Sequence, residues 1–183
     1  MKTRQTEFKL IMAGSTNIYS TINILIQATL KAREVTGRED LAFDQVHVFH
    51  TEQSFKNFAT SEDEWHIPLG KFNISMTSLI HHVTNIEDSS AERFRDLVEQ
   101  LRTIVNPLNN IKYYIDITGG LPSLKSILAV FAYVLDIENV YSLEVKFSSH
   151  EETKRKQQRM FVISHRNKRV LLRMGKKLVE SEV

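Results

Sequence analysis

The chain has 183 residues, 42% of them apolar and 25% charged, which is typical of one globular domain large enough to bury a core. The absence of cysteine excludes a disulfide framework and thiol catalysis, and it is consistent with a reducing cytoplasm. No apolar run approaches the roughly 18 residues that cross a bilayer, and the N-terminus lacks the apolar core of a signal peptide.

The net charge of +2 conceals an uneven distribution of charge along the chain. Residues 154–177 contain ten Lys or Arg and no Asp or Glu, whereas residues 1–153 contain 14 basic and 20 acidic residues. The basic segment could contact nucleic acid, an anionic ligand or a membrane surface. The simpler interpretation, which we favour, is a solvated pair of strands and a helix end.

The first predicted elements are a strand, a long helix and a second strand. The apolar run 8–15 predicts a buried strand that ends in Gly and Ser. A helix follows, with Thr16 or Asn17 as its N-cap and Gly37 at its C-terminus, because apolar residues recur between them at helical spacing. Residues 43–52, rich in Val and Phe, predict the second strand.

The middle of the chain is polar and less regular. Residues 53–75 contain the only Trp, and we expect a short strand near 65–74. The clearest helix of the sequence follows at 89–105, where Ser89 and Glu92 form a capping box in front of an apolar stripe.

The last third of the chain combines strands with one more helix. Residues 111–117 predict a strand, 121–139 an amphipathic helix with Pro in its first turn, and 140–147 an alternating strand. Residues 160–166 predict a final strand, which could pair with 169–174 in a hairpin. No clear helix separates these late strands, which indicates an antiparallel edge.

Strands that alternate with helices predict βαβ units and a mainly parallel sheet. We therefore predict a Rossmann-like, doubly wound α/β fold, with helices on both faces of the sheet and an antiparallel edge. One domain is expected to cover residues 1–183, with a core at about 8–166 and a basic C-terminal extension at 154–183.

Two strand ends carry small polar residues. They are AGSTN at Ala13–Asn17 and DITGGLPSLK at Asp116–Lys125. In a doubly wound sheet, ligands bind at the carboxyl ends of the strands, where helix starts point free N–H groups at them. The paired glycines of the second loop would let the backbone approach an anion, while Ser123 and Lys125 add a hydroxyl and a charge.

The alternative is an ordinary strand-to-helix turn that binds nothing. Residue types alone leave both interpretations open. Neither G-x-G-x-x-G nor G-x-x-x-x-G-K-[ST] occurs in the chain, so we predict neither a dinucleotide site nor a P-loop.

The two loops resemble those of CARF domains, the CRISPR-associated Rossmann-fold sensors. A strand ending in DITGG before a helix with Ser and Lys is similar to one CARF ligand loop, and a strand ending in AGSTN is similar to the other. The order of strands and helices agrees over roughly 8–166. The resemblance implies a homodimer that binds a cyclic oligoadenylate across its two-fold axis, in the antiviral signalling of type III CRISPR systems. The ligand contacts that it implies are Gly14, Ser15, Thr16, Asn17, Thr118, Gly119, Gly120, Ser123 and Lys125.

From this resemblance we expect a sensor domain whose ligand is cyclic tetra-adenylate, since a symmetric pair of chains matches the two-fold axis of that ring. The sensor would control an effector, such as a nuclease or a membrane segment, that is missing from this chain. It would act in the cytoplasm, with no cofactor besides the ligand and no polymeric nucleic acid as partner.

Two alternatives stay open. One is a stand-alone ring nuclease that needs no metal and uses Lys125 or a cation of the basic segment; the sequence assigns no catalytic residue. The other is a nucleic-acid-binding domain that uses the basic segment and therefore depends steeply on salt.

Two structural roles accompany the sensor interpretation. Asp116 is expected to order its loop rather than to touch an anion. Ile18, Ile22 and Leu124, on helices next to the loops, could supply part of the dimer contact, although burial in the core is the commoner fate of such residues.

Two nuclease-like motifs have simpler interpretations. Arg159 and His165 have the Arg-x5-His spacing of HEPN ribonucleases, but that motif needs a helix and this segment predicts a strand. Glu144 and Lys146 resemble a metal-dependent nuclease pattern, but they also fit the solvent-facing positions of an edge strand.

The histidines do not predict a zinc site. His47 and His50 are three apart on a predicted strand, so their side chains point to opposite faces of the sheet. His81 and His82 are adjacent, which is not a helical ligand spacing. We therefore expect no bound metal.

Overall fold

The computed structural model describes residues 6–61, 65–84, 91–105, 110–144 and 159–162. The strands in these ranges are β1 Glu7–Ala13, β2 Gln45–His50, β3 Leu79–Val83, β4 Ile111–Asp116, β5 Asn139–Glu144 and β6 Arg159–Val162. The helices are α1 Ile18–Thr36, α2 Glu52–Ala59, α3 His66–Gly70, α4 Ala91–Ile104 and α5 Pro122–Val134, with a 3₁₀ turn at Met76–Ser78.

The strands form one sheet of order β3-β2-β1-β4-β5-β6. The five strands from β3 to β5 are parallel, and β6 pairs antiparallel with β5. The chain moves outward in one direction from β1 through α1 to β2, and in the other direction from β4 through α5 to β5. The predicted doubly wound fold with an antiparallel edge is therefore confirmed, and its switch point lies between β1 and β4.

The sheet is covered on both faces because β1 is apolar on both. Leu10 and Met12 pack with the apolar stripe of α1 in one buried cluster. Ile11 and Ala13 pack with α4 and α5 in a second cluster on the opposite face. Successive side chains of a strand alternate between faces, so the continuous apolar run of β1 serves both clusters.

The predicted ends of α1 are confirmed. Asn17 is the N-cap, and its Oδ1 accepts a hydrogen bond from the backbone N–H of Tyr19. Gly37 ends the helix in the left-handed conformation at φ 67°, with its N–H bonded to the carbonyl oxygen of Arg33. The Asn17 cap therefore ends the loop that follows β1.

The prediction for the middle of the chain is wrong. Where a strand was expected near 65–74, the structure has the short helix α3 and a turn, and α2 and β3 were not predicted. Thr51 caps α2 by accepting from Ser54 N–H, and the buried ring of Phe58 packs edge-on against Trp65. Tertiary packing of these aromatic rings overrides a locally polar sequence.

The remaining predicted elements agree in part. Predicted strands 111–117, 140–147 and 160–166 correspond to β4, β5 and the described residues of β6. The capping residue Ser89, the hairpin strand 169–174 and most of the basic segment lie outside the described residues. None of the helices described is long and apolar enough to cross a membrane.

Candidate functional site

The candidate site lies where β1 and β4 end side by side. Met12 and Asp116 are register partners on these neighbouring strands, so the loops that follow them start together. The first loop is Gly14–Asn17 and the second is Ile117–Leu121. They touch: a β-carbon on Gly120 would lie 3.6 Å from the carbonyl oxygen of Gly14. All nine predicted ligand contacts therefore lie on these two loops or on the first turns of α5.

Hydrogen bonds within the first loop and from the loop to α1 give it a defined shape. The N–H of Ser15 donates to Thr21 Oγ1 at 2.9 Å, and the N–H of Asn17 donates to Ser15 Oγ at 3.2 Å. The Oδ1 of Asn17 is already used as the helix cap. What the loop can offer a ligand is therefore the hydroxyls of Ser15 and Thr16 and the amide nitrogen of Asn17. Thr16 and Asn17 are exposed.

The first loop is also held from outside by β2 and α2. Gly14 N–H donates to the carbonyl oxygen of Phe49 at 2.7 Å, and Asn57 Nδ2 donates to the carbonyl oxygen of Thr16 at 2.8 Å. Gly14 packs directly on the imidazole of His50. The strand β2, which carries Phe49 and His50, was predicted, but its contacts with the loop depend on tertiary packing. The helix α2, which carries Asn57, was not predicted. Thr51 as an N-cap, followed by Phe at positions 55 and 58, is the signal that indicates α2.

Asp116 orders the second loop, as expected from the sequence. Its side chain is fully buried, accepting from Thr118 N–H at 2.8 Å and from Thr118 Oγ1 at 3.1 Å. Burial raises the pKa of Asp116 to about 7, while the hydrogen bonds from Thr118 and the charge of Lys125 oppose that rise. Asp116 therefore holds Thr118 in place from below and does not face solvent.

Gly119 and Gly120 are required by packing. A β-carbon on Gly119 would lie 2.5 Å from the carbonyl oxygen of Ala13, and one on Gly120 would lie 2.6 Å from the β-carbon of Ala13. Gly120 also has φ +77°, a conformation that glycine adopts without strain. These constraints hold with or without a ligand, so the glycine pair alone carries no information about binding.

The start of α5 completes the site. Its N-cap, Leu121, forms no side-chain hydrogen bond with the helix, and Pro122 occupies the first turn. The N–H groups of that turn and the positive end of the helix dipole therefore face outward. Ser123 is exposed there, and Lys125 is half-buried, close enough to act on the pKa of Asp116.

The arrangement favours an anion. It combines hydroxyl and amide donors, a helix start without a side-chain cap, and the ammonium group of Lys125. The carboxylate of Asp116 is buried beneath the second loop. The hydroxyl and amide donors suit a phosphodiester, whose negative charge is shared between two oxygens.

Two predicted dimer residues belong to the core. Ile22 and Leu124 are buried in the two clusters that flank the sheet, whereas Ile18 is half-buried beside the first of them. The exposed apolar side chains nearest the loops are Tyr19 and Leu121, at 65% and 38% exposure. These two are the better candidates for a contact at the site.

The histidines form two pairs across β2 and β3. His47 Nδ1 lies 3.0 Å from His82 Nε2 on one face, and His50 Nε2 lies 3.0 Å from His81 Nδ1 on the other. The predicted opposite orientation of His47 and His50 is therefore confirmed, but the pairing was not predicted. Burial, followed by the charge of the partner, lowers the pKa of His47 and of His50 to about 4.

No metal site is evident in the ranges that the structure describes, where no three His, Asp or Glu side chains come together. Arg159 lies in the strand β6, in agreement with the prediction that its motif is not helical, while His165 and Lys146 lie outside those ranges. A cavity of about 880 Å³ lies at the opposite end of the strands, among Phe8, Arg38 and Glu138. It is separate from the two loops.

No protein-family model matches the chain, and no curated protein matches it. Among solved structures, the fold is similar to that of Enterococcus italicus Csm6 bound to cyclic hexa-2'-fluoro-hexa-dAMP, with a TM-score of 0.60 and 15% sequence identity. The match covers 97% of this chain and 46% of that chain, so this chain spans about half the length of the protein that it resembles. At this identity the likeness shows a shared fold, in agreement with the fold that the sequence motifs imply.

Proposed function

We propose that this chain is a sensor domain that binds a cyclic oligoadenylate at the β1–β4 switch point. The observation that carries the proposal is the meeting of two donor-bearing loops at that point, in a fold shared with a protein solved with a cyclic hexanucleotide. The first loop contributes hydroxyl and amide donors, and the second loop, which Thr118 anchors to Asp116, contributes the start of α5. We propose all nine residues of the predicted set as ligand contacts.

In this proposal the ligand binds between two copies of the chain. One chain offers two loops, which is too little to enclose a ring of several nucleotides. A symmetric pair offers four loops and presents identical halves to a ring that has its own two-fold axis. We propose cyclic tetra-adenylate as the ring, because four phosphates match four loops. Cyclic hexa-adenylate has the same axis and is the competing ligand.

Ligand binding would be transmitted as a change in how the two chains pack against each other. An effector controlled by that change would lie outside this chain, which is consistent with its covering less than half of the Csm6 chain. We assign no catalytic residue. Among the residues that the structure describes, Asp116 is the carboxylate that holds the second loop, and it is fully buried.

The proposal is tested by offering the purified chain labelled cyclic tri-, tetra- and hexa-adenylate, with linear tetra-adenylate as the matched control. We expect a gel shift with the tetramer ring, a weaker shift with the other rings and none with the linear form. A chromatogram of the same mixtures detects cleavage, and linear products would favour a ring nuclease over a sensor. Binding to polymeric RNA and DNA but to no ring would overturn the proposal in favour of a nucleic-acid-binding domain.

A further inference from the structure

His50 lies directly beneath the first loop. Its side chain is fully buried at the end of β2, and a β-carbon on residue 14 would clash with its imidazole, 2.7 Å from Cε1. The backbone next to it is tied to the same loop, because Gly14 N–H donates to the carbonyl oxygen of Phe49. The ring of His50 therefore sets how close the loop comes to the sheet.

A directed chain of hydrogen bonds holds this ring. Ser54 Oγ lies 3.1 Å from the carbonyl oxygen of Thr51, to which its single hydrogen is donated. With that hydrogen given to Thr51, Ser54 Oγ is left as the acceptor for His50 Nδ1–H, 3.1 Å away, which assigns the proton of His50 to Nδ1. The other nitrogen of His50, Nε2, is left as the acceptor for His81 Nδ1–H at 3.0 Å. The chain thus fixes the tautomer and the orientation of the His50 ring.

The same helix holds the other end of the loop. Asn57 is one turn beyond Ser54 on α2, and its Nδ2 donates to the carbonyl oxygen of Thr16 at 2.8 Å. Helix α2 therefore supports Gly14 through His50 and Thr16 through Asn57. The hydroxyls of the loop take their positions from these two supports.

We propose that His50 and Asn57 are positioning residues for the first loop, and that protonation of His50 releases that loop, so that affinity for an anion at the site falls in acid. The contacts that hold the loop all lie within this chain. Only the effect on affinity rests on the proposed function.

The donor-to-acceptor direction of these hydrogen bonds explains the expected response to acid. A second proton on His50 would be placed on Nε2, which faces the Nδ1–H of His81. The titratable groups that act on His50 are His81 and His82 of β3, and the α2 side chains that pack against its ring are Phe55 and Phe58. Burial and the two histidines lower the pKa of His50 to about 4. The loop should therefore be held at neutral pH and released as the pH falls toward that value.

The test compares wild type with His50→Phe, Asn57→Ala and the control Lys56→Ala. The phenylalanine keeps a ring under Gly14 but removes the hydrogen bonds and the titration. Lys56 is an exposed residue of α2. The ligand-free measurement is the hydrogen-exchange protection factor of the Gly14 and Ser15 amides between pH 7.5 and 4.5, relative to β4 amides. The second measurement is affinity for cyclic tetra-adenylate and cyclic hexa-adenylate over the same range.

We expect wild type to lose loop protection as the pH falls, whereas His50→Phe should show low and pH-independent protection. Asn57→Ala should lower ring affinity about five- to tenfold at pH 7.5, the loss of one hydrogen bond, with Lys56→Ala unchanged. Should His50→Phe fail to fold, Ser54→Ala removes the hydrogen bond to His50 with a smaller change of side chain. The inference would be overturned if Asn57→Ala and the His50 or Ser54 variant both showed the same loop protection as Lys56→Ala at every pH. If wild type binds no ring, the proposed function fails, and the protection factors still decide the role of His50.

Discussion

A β-carbon on Gly119 would lie 2.5 Å from the backbone carbonyl oxygen of Ala13, the last residue of β1. The second loop is thus seated on the end of the neighbouring strand, and no side chain fits between them. This contact joins the two halves of the doubly wound sheet at the point where the candidate site lies. It packs the loop directly against the backbone of β1.

The first prediction is that Gly119→Ala destabilises the chain by about 1–3 kcal/mol, because the added methyl group overpacks against backbone that cannot move aside. Gly70→Ala is the control, since a β-carbon there has open space within 4 Å. Urea unfolding measures both. Equal unfolding free energies for the two variants would show that the loop yields easily. Gly119→Val would abolish ring binding, but loss of loop packing would accompany that effect.

The second prediction concerns the cation at the site. Lys125→Ala should weaken binding of cyclic tetra-adenylate by about 1.5–3 kcal/mol, the loss of one charge-assisted contact, without unfolding the chain. Lys112→Ala is the matched control, because Lys112 is exposed on β4, whose other end bears the loop. Calorimetric titration of both variants measures the change. Unchanged affinity in Lys125→Ala would remove this residue from the site.

The third prediction follows from the raised pKa of Asp116, about 7 in the folded chain against 3.8 for the ordinary group. The folded state then binds this proton more tightly than the unfolded state. Its contribution to stability is fully present below pH 4 and is lost as the pH rises through 7. Asp116→Asn keeps an oxygen for Thr118 N–H but cannot ionise, so its stability relative to wild type should rise between pH 4 and 8. A difference in unfolding free energy between the two proteins that stays constant from pH 4 to 8 would contradict the assignment.

The fourth prediction has the opposite sign in the same range of pH. The pKa of His47 is lowered from 6.5 to about 4, so the unfolded state binds this proton more tightly. Stability is retained above pH 6.5 and is lost as the pH falls toward 4. His47→Phe keeps a ring beside His82 but cannot titrate, and should lose less stability than wild type between pH 7.5 and 4.5. Equal losses in the two proteins, measured by urea unfolding, would refute this contribution.

The parts of the fold that follow from local sequence were predictable. Asn17 and Gly37 define the ends of α1 by their own conformational preferences, and the apolar run of β1 identifies a strand buried on both faces. The site loops were found in the same way, because small polar residues at strand ends are visible in the sequence. Their contact at the switch point follows from the strand order.

The parts that depend on tertiary partners were not predictable. The strand β3 has two adjacent histidines at its centre and little apolar alternation, so nothing local identifies it. His81 meets His50 only because the register of β2 and β3 brings them to one face of the sheet. The support of the first loop by α2 likewise depends on a contact between residues 41 positions apart, Thr16 and Asn57.

The proposed ring is shared between two chains, so the stoichiometry of binding decides whether the proposal holds. Calorimetric titration with cyclic tetra-adenylate, combined with sedimentation of the same samples at micromolar concentration, measures rings bound per chain and the mass of the complex. We expect a homodimer that binds one ring per two chains. A monomer that binds one ring per chain, or a chain that binds no ring, would contradict it.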